Sequence, residues 1–409
     1  MSSTSPWNPR VVGFLGAEAL SAAGSFATVV AVWGYATFHL DASPGELSLY
    51  GLAFSLPGVV LGPVAGQVVD RLGAKETLAL SKVIGVVASL LLLTVDTFLA
   101  MSALTLLHGV SMTFAQPALQ SMPPRLVPDD RLATTNALVG MTDESSLIFG
   151  PAIAGAAIAV FGFHGAFVVD ALTYAVGLAV LPLVHLRPAA TDEAAGAATS
   201  LREVFAGWAL VARDPVLRRT VACTGVVFSL YGMALLAEPL YVRDVLHRPP
   251  STFAALQTVF GVFLIGGGAL AARLGDRIAT FRWVAIGVAG SGASAFLYLG
   301  TPWLVVAFVG VGVWGTFTAV ISGPSRTVLH RAAPEHAHGR VLAVDMVAGN
   351  ATMLLGTVLA GPLIERFEVQ GTVLLLGGLA LLAGLVALVR GQASVSRPLV
   401  TTRSTESVL

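Results

Sequence analysis

Three carboxylates, Glu18, Asp143 and Glu144, stand inside long stretches of otherwise apolar sequence. A charge at the centre of a membrane helix costs about 2.5–3.5 kcal/mol on insertion scales, so such groups mark proton, ion or partner sites. Depth sorts the candidates. Counted along a helix, Glu18 lies about 10 Å inside its stretch, and Asp143 and Glu144 about 17 Å in from Leu132. Asp170 and Asp345 lie about 8–9 Å from their nearer ends. Glu238 stands at the mouth of its stretch. Adjacent helical residues point about 100° apart, so of Asp143 and Glu144 one faces a cavity and the other a neighbouring helix, in an order the sequence leaves open. Asp143 shares its stripe with Ser146, Gly150 and Ala154, and Glu144 shares its own with Pro151 and Gly155. The chemistry expected of these carboxyls is reversible protonation inside the barrier. The competing reading is a carboxyl kept for structural hydrogen bonding.

Other chemistry finds no residues to carry it. No nucleophile–base constellation appears, and Gly266-Gly267-Gly268 follows no strand, so it is a helix-packing run and not a nucleotide loop. The pair His336 and His338 reads as a solvated loop. Cys223 is the only cysteine, which excludes an internal disulfide framework and a Cys-rich zinc site. Neither a cofactor, a metal nor an enzymatic activity is expected.

Of the 409 residues, 55% are hydrophobic and 11% charged, with 23 basic and 23 acidic side chains. Mean hydropathy is +0.81. Soluble domains carry about 25% charged residues, and with no basic excess nucleic acid is not a partner. The lipid bilayer is. A crossing helix needs about 20 apolar residues, and spans fall near 11–38, 46–69, 77–95, 98–121, 132–160, 164–186, 217–240, 252–272, 283–300, 302–324, 340–364 and 369–389. The fold expected is an all-α membrane protein of twelve helices. Twenty Lys and Arg fall on the side of the termini, and only Arg243, Arg248 and Arg366 fall on the other. By the positive-inside rule both termini are cytoplasmic, in a cell membrane. Lys82, a turn or two inside, is expected to snorkel to that side, which leaves no deep cation. Trp33, Trp283 and Trp303 read as an interface belt.

One long connection, 187–216, divides the chain into a bundle over 1–186 and a second over 217–409. Within it Ser200 to Glu203 forms a capping box, and Leu201, Val204, Phe205, Trp208 and Val211 make an amphipathic helix for the cytoplasmic face. The halves repeat each other. Asp70-Arg71 returns as Asp276-Arg277 after 206 residues, Pro117 and Pro128 as Pro324 and Pro334, and Gly150-Pro151 as Gly361-Pro362. Duplicated halves with a site between them suit a secondary transporter.

The stretch Gly62-Pro-Val-Ala-Gly66-Gln-Val-Val-Asp70-Arg71-Leu-Gly73-Ala-Lys75 resembles the signature loop of the major facilitator superfamily, between spans two and three. Gly150-Pro151-Ala-Ile-Ala154-Gly155 resembles the Gly-Pro element of its antiporters, although Ser146 and Ala154 stand where glycine is common. Pro117 to Leu138, with Arg125-Leu-Val-Pro128, resembles the drug-efflux branch that includes macrolide exporters. The resemblance implies two pseudo-symmetric six-helix bundles, a latch in which Asp70 meets a helix of the other half, and proton-driven export. Read physically, Gly66 allows close packing at the end of span two, Gly73 a tight turn, and Asp70 can sit at a helix N-terminus. The second loop copy, around Asp276 and Arg277, is degraded by Ala272 and Ala279. Span four lacks the arginine common in proton antiporters, and Thr105-Leu-Leu-His108-Gly109 takes its place. The leading expectation is a monomeric, proton-coupled exporter of small amphipathic compounds. Uptake of a small neutral metabolite, or a receptor or scaffold without flux, are the alternatives.

Overall fold

A computed structural model describes residues 9–128, 131–184, 186, 201–334 and 337–392, with the backbone alone at 63, 133, 137, 141, 143–145, 147–148, 201–205 and 391–392. The helices are α1 (Pro9–His39), α2 (Pro44–Leu72), α3 (Ala74–Leu91), α4 (Phe98–Gln120), a single turn α5 (Pro123–Leu126), α6 (Leu132–Val180), α7 (Leu201–Arg213), α8 (Pro215–Leu240), α9 (Pro250–Leu274), α10 (Phe281–Tyr298), α11 (Leu304–Ala332) and α12 (His338–Gln392). Among the described residues nine helical stretches are long and apolar enough to cross a membrane by length and composition. Helix is the natural outcome, because in lipid each backbone N–H and C=O must bond within its own segment.

Two helices are too long for one crossing: α6 has 49 residues and α12 has 55. Each is broken at one residue of left-handed backbone, Gly162 at φ 71° and Glu368 at φ 62°. The chain doubles back at both. Before Gly162, Gly150 packs on Phe26 of α1, and after it Thr173 packs on Gly24, so both arms of α6 lie along α1. In α12, Glu365 reaches Gly45 at the start of α2. Beyond the break Gln370 donates to the Gly300 carbonyl, and Gly384 packs on Ala289, so the second arm retreats along α10. Counting each arm, the ten long helices make twelve antiparallel segments, as the hydropathy reading expects.

Local signals set the ends. Ser43 caps α2 in a full capping box with Glu46, and Asp214 caps α8 through the amides of Val216 and Leu217. Gly73 takes φ 96° in the tight turn between α2 and α3, a conformation open to glycine. The reading of α7 changes in one respect. It docks on the second half: Val211 shares a core with Leu217, Leu329 and Val344, and Gly207 lies against Arg340 and Val344. A glycine there lets the two backbones approach, so one face of α7 is occupied by protein. The capping box expected over Ser200 to Glu203 lies, like His336, outside the described residues and side chains.

The cores are distributed unevenly. At the end carrying the α1–α2 and α8–α9 connections, one continuous cluster joins both halves, including Ala31 and Phe163 from the first and Leu236 and Phe253 from the second. At the other end, rich in Lys and Arg, the halves have separate cores, one around Leu78 and Leu119 and others around Leu329 and Val288. Trp33 belongs to the shared core and is not in a lipid belt: it is buried and donates from Nε1 to the Leu47 carbonyl at 3.2 Å. Trp303 is 70% exposed.

Candidate functional site

In the first half four helices each carry a polar stripe, and the stripes converge. Glu18, Ser21 and Ser25 lie on α1 at i, i+3 and i+7. Lys82 and Ser89 lie on α3, His108 and Ser111 on α4, Asp170 and Tyr174 on α6. The Lys82 ammonium is 2.9 Å from Glu18 Oε2, with the two side chains 2% and 5% exposed. It also donates to Ser21 Oγ at 3.2 Å and lies 5.5 Å from the centre of the Tyr174 ring. Asp170, with no exposed surface, accepts from Ser89 at 2.7 Å and has His108 Nε2 at 2.9 Å from Oδ2. Ser25 joins the two pairs, 3.3 Å from Asp170 Oδ1 and 2.9 Å from the Tyr174 hydroxyl.

This corrects two expectations. Lys82 does not snorkel: the bundle keeps it inside because Glu18 balances its charge, and breaking such a pair leaves an uncompensated buried ion. Asp170 is not a shallow carboxyl but the centre of a hydrogen-bonded network. His108 and Asp170 are in hydrogen-bond contact, and beside the Lys82 pair Glu18 Oε1 has no hydrogen-bond partner. The side chains of Asp143 and Glu144 lie outside the described residues; their backbone is in the first arm of α6.

The second half holds Glu238 and Asp345. Glu238 is not at a mouth. A π-turn, Tyr241–Val245, prolongs α8 beyond it, and the side chain is 6% exposed. Its Oε2 accepts from Gln257 Nε2 at 2.9 Å. Asp345 Oδ1 accepts from Thr224 at 2.6 Å. Asp345 lines a cavity of about 340 Å³, with Gln116 and Gln120 from the first half and Phe228, Tyr231 and Arg326 from the second. Gln116, Gln120, Arg326 and Asp345 sit within two or three turns of the Lys/Arg-rich end and Phe228 and Tyr231 near the middle of α8, so the cavity runs from where the two cores separate towards mid-helix. Arg326 is thus a cation at the cavity wall, which hydropathy alone does not reveal.

The opposite end is shut. Arg243 donates to the Thr37 carbonyl at 2.8 Å, and the Gly45 amide to Glu365 Oε1 at 3.1 Å. Ser48 donates to the Thr357 carbonyl and accepts from the Gly361 amide, at 3.0 and 3.2 Å. A Cβ at Gly155 would collide with the Ala254 carbonyl and with Thr258, so α6 and α9 touch backbone to side chain there. Ala154 is fully buried beside it, Pro151 lies within the helix, and Ser146 is half-buried.

At the Lys/Arg-rich end Asp70 and Arg71 are exposed, and no partner for them occurs among the described residues. Lys75 donates to the Val184 carbonyl at 2.9 Å and braces the end of α6. In the second copy Asp276 accepts from Arg331 at 2.6 Å. Gly66 does not serve close packing, since nothing lies within 4 Å of the place where its Cβ would be.

The sequence profile of the Major Facilitator Superfamily matches residues 14–247 and 220–407. Relatives align end to end. The uncharacterized MFS-type transporter YfiS of Bacillus subtilis is 26% identical over 95% of both chains. The multidrug efflux pump Tap of Mycolicibacterium fortuitum is 27% identical over 89% of this chain and 91% of its own. Macrolide efflux protein A of Streptococcus pyogenes is 20% identical over 85% and 89%. In fold, the nucleoside transporter NupG superposes with a TM-score of 0.70 at 15% identity, over 93% of this chain and 99% of its own. A bacterial homologue of the lysosomal transporter Spinster, in an inward-facing and unoccupied conformation, gives 0.69 at 15%, over 95% and 94%. Twelve segments in two repeated halves, a cavity between them and a family profile running from residue 14 to 407 agree: this chain is a secondary transporter of the Major Facilitator Superfamily.

Proposed function

We propose that the protein exports small amphipathic compounds by alternating access and draws the energy from protons moving the other way. The observation that carries the reading is the central cavity. It is lined from both halves, mixes the aromatic Phe228 and Tyr231 with Gln116, Gln120 and Asp345, and lies at the end that the charge bias assigns to the cytoplasm. Such a surface accepts a substrate with an apolar body and a few polar groups. The full-length likeness to proteins named as multidrug and macrolide efflux pumps supports the direction.

Glu18, Asp143 and Glu144 are the coupling carboxyls of this reading, and Asp170, held by His108, belongs to the network around Glu18. Neutralising at least one of the three is expected to abolish uphill export while downhill exchange continues. Glu18→Gln is best made together with Lys82→Met, because alone it strands an ammonium in the bundle. The latch role of Asp70, Arg71, Gly73 and Lys75 belongs to the same proposal.

The test is accumulation of a labelled lipophilic cation in expressing and control cells, with and without a protonophore. Expressing cells should hold several-fold less label, and the protonophore should erase the difference. Equal accumulation in the two cell types, or more label in the expressing cells, would overturn export.

A further inference from the structure

Glu238 is buried with half of its carboxyl unanswered, and such a group calls for a physical reason. Oε2 accepts from Gln257, but Oε1 has no hydrogen-bond partner. The Tyr298 hydroxyl, which faces the same small cavity, has none either. Tyr231, Phe260 and Trp314 complete the walls, and the enclosed space is about 20 Å³. Neither Lys, Arg nor His is in the lining. A buried carboxylate without a charged partner is costly and is relieved by a proton or by a cation, and no side chain in the lining supplies the cation.

The chemistry of the walls says what would bring it. Aromatic faces attract cations through the ring quadrupole, and a carboxylate beside them adds direct charge. Size narrows the choice, since a water-sized group needs about 10–15 Å³ of such space. One ammonium head fits, and a trimethylated head does not. Position supplies the rest of the ligand. Tyr231 lines both this box and the central cavity of about 340 Å³, so the two spaces share a wall.

We propose that the Glu238 box binds the primary ammonium head of the transported substrate, a cationic amphiphile whose apolar body occupies the central cavity beside Phe228. The ammonium donates to Glu238 Oε1 and to the Tyr298 hydroxyl and stacks against the aromatic faces. Gln257 holds the other carboxylate oxygen and fixes its direction. The proposal rests on the transport reading and names the substrate class.

The test is equilibrium binding to the purified full-length chain in lipid nanodiscs. The probes are labelled 4-phenylbutylamine, 4-phenylbutanol and the trimethylammonium analogue of the amine. The amine should bind at least tenfold more tightly than the alcohol, and the trimethylammonium probe no better than the alcohol. Glu238→Gln should cancel the amine preference while alcohol binding persists. Tyr298→Phe should weaken amine binding several-fold, and together with the wild-type head-group series it decides the question if Glu238→Gln does not fold. Equal binding of amine and alcohol assigns the box to a water or a proton and overturns the proposal, as does a preference that survives Glu238→Gln or an equally tight trimethylammonium probe. Export of the same amine from cells separates the two failures. Export that ignores Glu238 sinks the subsite alone, and Glu238-dependent binding without export sinks the export reading alone.

Discussion

Lys82 and Glu18 form an ion pair in which neither member reaches water, so each is present because of the other. Removing one partner of a buried pair costs about 3–5 kcal/mol, whereas replacing both with well-packed apolar groups is often neutral. Lys82→Met should therefore lower the melting temperature of the purified protein sharply, and Glu18→Gln with Lys82→Met should recover most of the loss. If the double variant melts as low as the single one, the pair is not a coupled unit. Part of this was legible: the carboxylates inside apolar runs are visible to any reading of charge. The partners were not. A lysine near a span end reads as a snorkelling group, and only the spacing of Glu18, Ser21 and Ser25 on one helical face hints that the polar groups turn inward. Recognising Ser89, His108 and Tyr174 as their counterparts needs the order of helices around the bundle, which no local pattern encodes.

The first arm of α6 meets α9 at Gly155, where the Ala254 carbonyl leaves no room for a side chain. Overpacking a tight contact costs about 1–3 kcal/mol, and here the neighbour is backbone that cannot rotate away. Gly155→Ala should push the shut end apart. Spin labels at Phe161 and Arg248, both exposed, in a Cys223→Ser background should report a longer or broader distance than in the parent. An unchanged distribution would mean that this contact does not hold the closure. Hydropathy locates this element well, and the Gly-Pro pattern marks it as special. What the pattern leaves open is the partner, because a small face on a helix looks the same whether it meets its own bundle, as Gly150 meets Phe26, or the other half, as Gly155 meets Thr258. The one-residue reversals at Gly162 and Glu368 are also hidden. A glycine in an apolar run signals many things, and a glutamate in left-handed backbone signals nothing in advance.

The two halves share a core at one end and keep separate cores at the other, so this state exposes its cavity on the Lys/Arg-rich side. Alternating access requires the opposite arrangement as well. In the export cycle proposed above, the halves would close where Asp70 and Arg71 now stand exposed. An anion at a helix N-terminus is worth about 0.3–1 kcal/mol, so Asp70→Asn should lower the transport rate about two- to five-fold at matched expression. A rate equal to the parent's would leave Asp70 and Arg71 as markers of topology. Twelve crossings and the duplicated plan were readable because membrane insertion and repetition write themselves along the chain. Which end is shut was not, since both states use the same sequence.

The docking of α7 sets the mechanics of the tether between the halves. Val211 and Gly207 fasten this helix to α8, α11 and α12, so it travels with the second half as one body. The connection to the first half is then the stretch ahead of α7. Residues 187–200 number fourteen, and a chain of that contour length spans at most roughly 46–50 Å. A rocking motion that opens a path for a small molecule stays well within that reach. Chain length alone therefore sets no limit on such a motion, while the covalent link holds the halves at high effective concentration for each other.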